Sequence, residues 1–302
     1  MSIVIPCHNE AEVLDELVKR LVLVINQVNL TTEVILVDDG SKDSTWEKFL
    51  SIRERDQRFK VIKLSRNFGH QAALTAGLDQ SSGEVVLILD ADLQDPPELL
   101  PKMLQLWSEG YDVVYGQRLS REGETASKKL FAYLFYRTLI KITGLDIPPD
   151  AGDFRLIDRK ALNALISLRE KHRFIRGMVS WVGFKQTPIA YEREARFAGQ
   201  SKYPFVKSLR LAVDAFTSFS VAPLRLATYL GIGISGFAFL YILVVIALKI
   251  MGISFSGYTS IMASILLLGG VQLFVMGIVG EYVGRVFEQG QDRPIYLIQD
   301  IQ

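Results

Sequence analysis

Two stretches without a single charged side chain constrain this chain more than anything else in it. Leu226 to Leu248 runs for 23 residues between Arg225 and Lys249, and Ile250 to Gly280 follows at once. A helix needs about 20 apolar residues to cross a bilayer, and two buried soluble helices of that length in tandem would be unusual. The pair predicts two membrane spans joined by a short loop near Ser254 to Thr259. Lys202, Lys207, Arg210 and Arg225 precede the first span, while Arg285 and Arg293 follow the second. The positive-inside rule therefore puts both ends in the cytoplasm and the loop outside, as in a multi-pass protein of the inner (cytoplasmic) membrane. Glu281 is acidic at a span end, but Arg285 four residues on explains it as a helical ion pair. With no other charge inside the spans, a transport role for them is weak.

The rest of the chain is of a different kind. Lys and Arg total 34 against 33 acids, so net charge gives no reason to expect a nucleic-acid partner. A hydrophobic fraction of 49% beside that many charges describes a polar domain joined to a greasy one. The single Cys7 rules out an internal disulfide framework and fits a domain facing the cytosol. Ser2 to Pro6 is already strand material with no basic region before it, so no signal peptide is expected.

In that polar part, apolar runs alternate with amphipathic stretches. Ile3 to Ile5, Val34 to Val37, Val61 to Leu64, Val85 to Leu89 and Val113 to Tyr115 read as strands. Helices are expected from Asn9, with Glu12 completing a capping box, to about Val28; after Ser44 with Glu47; and from Gly69 to Leu78. Asp95, Pro96 and Glu98 look like cap, first and third positions of a further helix. This alternation predicts a doubly wound, mostly parallel α/β sheet. Ligands bind such sheets outside the carboxyl ends of the strands. His8-Asn9-Glu10, Asp38-Asp39 and Asp90-Ala91-Asp92 all fall there, gathering at least five carboxylates on one rim. Crowding of like charge is costly without a cation or hydrogen-bond donors to offset it. Two carboxylates one residue apart at a strand end suit a hard divalent cation such as magnesium, which shares its shell with phosphates and water.

Lys128 to Ile142 and Tyr203 to Val221 mix aromatics with cations and are expected to lie in the headgroup plane. Gly231, Gly233 and Gly236 spell the dinucleotide fingerprint, but inside an apolar run with no preceding strand and no acid about 20 residues on. They read as helix-packing glycines, as do Gly280 and Gly284. His70 and His172 lack metal-spaced partners and are assigned no chemistry.

Four motifs in order carry a family likeness: I-V-I-P-C-H-N-E, V-D-D-G-S-K-D, S-R-N-F-G-H-Q-A-A and D-A-D-L-Q-D-P-P. Together they resemble the family-2 inverting glycosyltransferases of GT-A (Rossmann-like) fold. More narrowly they resemble the polyprenyl-phosphate glycosyltransferases, relatives of dolichol-phosphate mannose synthase, and with two C-terminal spans the bacterial undecaprenyl-phosphate branch. His8 stands where that family more often has Tyr. The resemblance implies a cytoplasmic catalytic domain over 1–202, a juxtamembrane amphipathic helix over 203–222, a two-helix transmembrane domain over 223–284 and a cytoplasmic tail over 285–302. It implies that Pro6, Asn9, Glu10, Asp38, Asp39 and Gly69 hold the donor nucleotide. Asp92, with Asp90 near it and Gln94 in support, would bind Mg2+ or Mn2+ on the diphosphate. Arg118, helped by a cation among Arg121, Lys128 and Lys129, would take the lipid phosphate. Asp153 in A-G-D-F-R-L matches the family's catalytic base, and Arg196, Ser201 and Lys202 its closing loop.

The expected reaction is in-line transfer of a sugar from a nucleotide-sugar donor, UDP-glucose first, to a polyprenyl phosphate in the membrane. GDP-mannose and a modified UDP-pentose are the alternative donors. A processive polysaccharide synthase would show a Q-x-x-R-W motif and more spans, and neither is present. An inactive nucleotide-sugar sensor is the reading from another class, against which the intact carboxylate rim speaks. The glycine faces leave room for self-association.

Overall fold

In the computed structural model of the chain, residues 1–119, 137, 151–192, 220–252 and 257–302 are described. They fall into two compact units, Met1–Ala215 with Pro294–Gln302 and, separately, Phe216–Arg293.

The first unit is built on an eight-stranded sheet in the order β7-β5-β6-β4-β1-β2-β3-β8. Its centre is β1 (Ser2–Cys7), β2 (Glu33–Asp38), β3 (Phe59–Leu64) and β4 (Val85–Ile88), all mutually parallel. β1 and β4 are buried along their whole length, as strands covered on both faces must be. Crossovers are made by α1 (Leu14–Gln27), α2 (Thr45–Arg55) and α3 (His70–Asp79). α1 buries Leu14, Leu17, Leu21, Val24 and Ile25, the three-and-four spacing that turns one helix face to a core.

Beyond β4 the sheet becomes mixed. A 3-10 turn, Pro97–Leu99, leads into α4 (Leu100–Ser108) and then β5 (Val113–Arg118). β6 (Ala151–Asp158) is inserted between β4 and β5, antiparallel to both. α5 (Arg159–Ser167) and α6 (Ile175–Trp181) follow, and β7 (Gln186–Tyr191) lies parallel to β5 at the edge. At the other edge β8 (Ile298–Ile301) pairs antiparallel with β3, so Pro294–Gln302 belongs with the sheet. The parallel half is the one the apolar runs foretell; β6 and β8 add the antiparallel character.

The second unit holds α7 (Ala222–Ile250) and α8 (Tyr258–Gly290), each long and apolar enough to cross a membrane. Large side chains such as Phe237 and Leu273 stay more than two-thirds exposed, a surface suited to lipid rather than water. Arg285 pairs with Glu281 at 2.9 Å, as their spacing predicts. A Cβ on Gly231, Gly233 or Gly236 would meet nothing within 4 Å, so among the described residues these glycines pack against no partner.

Three expected helix starts are different in the structure. α1 is capped by Val13 without a side-chain hydrogen bond. Asn9, at φ 55, instead ties the end of β1 to the end of β2, its N–H donating to Ser41 Oγ at 2.9 Å and its Oδ1 accepting from Lys42 N at 2.8 Å. Ser44 makes no capping bond; Asp43 does that work, accepting from Thr45 N and Oγ1 at 3.1 and 2.6 Å. Asp95 is no cap either. It is buried inside the sheet edge, and the turn after it starts at Pro97.

Candidate active site

Parallel strands aim their carboxyl ends the same way, and an antiparallel neighbour begins where they end. One rim of the sheet therefore collects the ends of β1, β2, β4, β5 and β7 together with the start of β6. The ladder's last pair is Ile88 with Arg155, and just past it Asp90 and Asp153 come close enough for their charges to interact. The parallel ladder of β5 and β7 sets Arg118 beside Tyr191.

On the β1–β2 side lie Pro6, Asn9, Glu10, Asp38 and Asp39. Pro6 is within β1, opposite Val37. The Glu10 N–H donates to Thr45 Oγ1 at 3.0 Å. Asp38 accepts from Ser41 N at 2.9 Å through one oxygen, while its buried Oδ2 has no hydrogen-bond partner among the described residues. Asp39 accepts from the backbone N–H groups of Phe68 and Gly69 at 2.7 and 3.0 Å. Burial pushes its carboxyl up, against those two donors. Asp39 thus fixes the 66–69 loop to the end of β2, and a side chain at Gly40 would collide with that loop, 2.6 Å from the Arg66 backbone.

The centre of the rim is an ionic cluster. His70, the first residue of α3, has Nε2 3.6 Å from Asp90 Oδ1 and 3.4 Å from Asp153 Oδ2. Arg176 on α6 donates to Asp153 from Nε at 2.9 Å and Nη2 at 3.3 Å. Gln71 bridges as well, accepting from Ile175 N at 3.0 Å and donating to Asp153 at 3.3 Å. Burial alone would raise the Asp153 carboxyl; Arg176 and His70 overcome it and hold it well below the usual carboxylate range. Asp90 goes the other way, to about 6, because burial and then the charges of Asp153, Asp95 and Asp92 outweigh His70. For His70 burial opposes the charged ring, but Asp153 and Asp90 raise it to about 9.

Asp92 is half-buried, and its Oδ1 accepts from Gln94 N at 3.2 Å. Leu93 between them is in the left-handed region, at φ 58, a conformation that costs a bulky residue about 1–3 kcal/mol. Among the described residues no group of three or more His, Cys, Asp or Glu is arranged around a metal position. Asp90 and Asp92 supply two carboxylates, and the buried Asp90 Oδ1 has no hydrogen-bond partner among the described residues. Hard oxygens, one of them orphaned, fit a divalent ion that completes its shell with water and phosphate oxygens.

Arg118 stands at the next strand end, near enough to Arg176 for their charges to interact. Lys128, Lys129, Arg121, Arg196, Ser201 and Lys202 lie outside the described residues, as do Lys128 to Ile142 apart from Arg137, and Tyr203 to Phe219. The site also contains residues that sequence reasoning passed over. His70 and Gln71 sit in the third quoted motif, a signal that was available. Asp95 follows β4 in the fourth motif, where it reads as a helix cap, while Arg176 and Tyr191 come from the β6–β7 region, where no pattern marked them.

Known proteins resemble this chain in sequence and in fold. The description for Glycosyl transferase family 2 matches residues 2–166, and that for the GtrB C-terminal hairpin matches residues 222–286. An uncharacterized glycosyltransferase, YkcC, of Bacillus subtilis is 48% identical across 99% of this chain and 93% of its own. The bactoprenol glucosyl transferase of Shigella phage SfV is 36% identical across 99% of this chain and 98% of its own. In fold the chain is similar to glucosyl-3-phosphoglycerate synthase from Mycobacterium tuberculosis, a structure with Mn2+, UDP-glucose and phosphoglyceric acid. There the TM-score is 0.50 at 17% identity, covering 72% of this chain and 77% of that one. The family description over residues 2–166, the hairpin over 222–286 and relatives matched along nearly their whole length show that the chain belongs to glycosyl transferase family 2.

Proposed function

We propose that this protein transfers one sugar from a nucleoside diphosphate sugar to a polyprenyl phosphate at the cytoplasmic face of a membrane, inverting the anomeric carbon. The observation that carries the reading is the meeting of Asp90, after β4, and Asp153, on β6, around His70, with Arg118 at the next strand end. One rim then offers carboxylates to a donor's metal-bound diphosphate and a guanidinium to an acceptor's phosphate. Relatives named as bactoprenol glucosyl transferases support the lipid acceptor and make UDP-glucose the donor of choice. Both helices of the hairpin would cross the membrane, with the chain on either side of it cytoplasmic.

Asp90 and Asp92 would hold Mg2+ or Mn2+, which supplies positive charge against the departing nucleoside diphosphate. In the transfer an acceptor phosphate oxygen bonds to the anomeric carbon as the carbon–oxygen bond to the diphosphate breaks. The electron pair leaves with the nucleotide. A phosphate monoester has a second pKa of about 6 and is ionised at neutral pH, so its attack needs no proton removed. Asp153, kept ionised by Arg176 and His70, is a weak proton acceptor. Its part is to hold His70 and Arg176 in place beside the reacting groups, and the base role of Asp153 is not needed.

Full-length protein in detergent, given undecaprenyl phosphate and magnesium, tests this with UDP-glucose, UDP-galactose and GDP-mannose in parallel. Sugar should enter the lipid phase from one donor and should not do so with a chelator or with Asp92→Asn. Donor hydrolysis without lipid product would discard the acceptor. Nucleotide binding without turnover on any donor would favour a sensor.

A further inference from the structure

We propose that Asp95 is a positioning residue: with the Tyr191 hydroxyl it forms a buried clamp that aims Arg118 at the acceptor's phosphate. The inference rests on the acceptor reading above. The β5–β7 register makes Arg118 and Tyr191 lateral neighbours. Arg118 Nε donates to Tyr191 Oη at 3.3 Å, and that hydroxyl donates to Asp95 Oδ1. Arg118 Nη2 also lies 3.8 Å from the same Asp95 oxygen. The anion is 1% exposed and the cation 20%, so charge fixed inside the sheet edge directs a guanidinium that reaches solvent.

The surroundings are shaped around this arrangement. A Cβ at Gly152 would lie 2.8 Å from Arg118 Nη2. One at Gly116 would lie 2.6 Å from Phe154 Cδ1 and 2.8 Å from Tyr191 Cε1. Two residues without side chains on adjacent strands clear the volume the guanidinium and phenol occupy. Phe154, fully buried, packs edge-on against Tyr191 with ring centroids 5.8 Å apart and fixes its tilt.

Stability does not account for the clamp. The buried Asp95 Oδ2 has no hydrogen-bond partner among the described residues, and a buried, under-satisfied ion pair stabilises a fold no better than apolar packing would. What it does provide is direction. A guanidinium presents its donors in a rigid plane that matches phosphate oxygens only when its orientation is held.

The test compares wild type, Asp95→Asn, Tyr191→Phe, Arg118→Ala and the Asp95→Asn/Arg118→Ala double variant, all full length in detergent. KM is measured for undecaprenyl phosphate and for the donor, and Kd for farnesyl phosphate by equilibrium binding. Asp95→Asn and Tyr191→Phe should each raise acceptor KM and farnesyl phosphate Kd about tenfold, with donor KM within about twofold of wild type. On the Arg118→Ala background Asp95→Asn should add nothing, because its effect passes through the guanidinium. Unchanged farnesyl phosphate affinity in Asp95→Asn, or an equal further loss in the double variant, would overturn the clamp. If Asp95→Asn does not fold, Tyr191→Phe, which deletes one oxygen, decides by the same measurement. If wild type binds farnesyl phosphate but transfers no sugar, the reaction proposed above falls, and the clamp stands or falls on binding alone. A wild type that does not bind farnesyl phosphate overturns both.

Discussion

The two ends of the same sheet treat acidic residues in opposite ways. At the amino end, Glu33 Oε1 accepts from Ser2 Oγ, Ser82 N and Ser82 Oγ, each at 2.7 Å, and Lys60 holds the other oxygen. Burial works against its charge, yet these partners bring the carboxyl down to about 2. Ser2 Oγ in turn accepts from Gly83 N, whose carbonyl takes a bond from Arg159. At the carboxyl end, Asp38, Asp90 and Asp95 each keep a buried oxygen without a hydrogen-bond partner among the described residues. Asn9 and Leu93 hold left-handed backbone there as well. An unsatisfied buried acceptor costs about 1–3 kcal/mol. One end of the sheet is built to stabilise the fold. The other retains polar capacity unmet by the described residues, which a bound ligand could satisfy.

If that contrast is right, Asp90→Asn and Asp92→Asn should give the largest loss of all. We expect sugar transfer to lipid to fall at least about a thousandfold while thermal stability holds or rises, since a costly charge has been removed. Loss of folding in step with loss of activity would break the comparison. Asp153→Asn comes next, with turnover down about tenfold to a hundredfold through misplaced His70 and Arg176. Its pH–rate profile should keep its shape; displacement of the acidic limb would restore Asp153 as a base.

Predictions for the amino end are about stability. Glu33→Gln should cost about 2 kcal/mol at neutral pH, with kcat unchanged. Because the folded-state pKa lies below the unfolded one, this stabilisation is full above about pH 4.5 and disappears as pH falls toward 2. Melting curves of wild type and variant should therefore converge in acid. The smallest effect is expected at Glu98, which takes a two-pronged contact from Arg20 at 2.7 and 2.6 Å but is half exposed. Glu98→Gln should change stability by about 0.5 kcal/mol, and less in high salt.

What could be read in advance follows the same division. β1, β2 and β4 are nearly continuous apolar runs, so burial on both faces wrote them into the sequence, and the carboxylates at their ends came with them. Asp153 and Arg118 were reached only through the resemblance: β6 mixes polar and apolar residues, and Arg118 lies past the apolar run Val113 to Tyr115 that marks β5. Asp95 was misread for a definite reason: Asp-Pro-Pro-Glu satisfies the local chemistry of a helix start, and only Tyr191, almost a hundred residues on, supplies the competing partner. His70 was dismissed for lacking metal-spaced neighbours, whereas its contacts are with carboxylates brought in by two distant strands. Long-range pairing decided each of these, and no local pattern encodes it.

The last strand of the sheet carries a consequence for how the protein is made. β8 is synthesised after both apolar helices, yet it covers the open edge of β3. The catalytic sheet stays unfinished on the ribosome until the hairpin has emerged, and meanwhile a row of unpaired backbone groups invites pairing with other chains. A fragment cut before Ala222 would carry the same exposed edge for good. Closure of the β3 edge thus waits on both apolar helices, which are made before the strand that completes it.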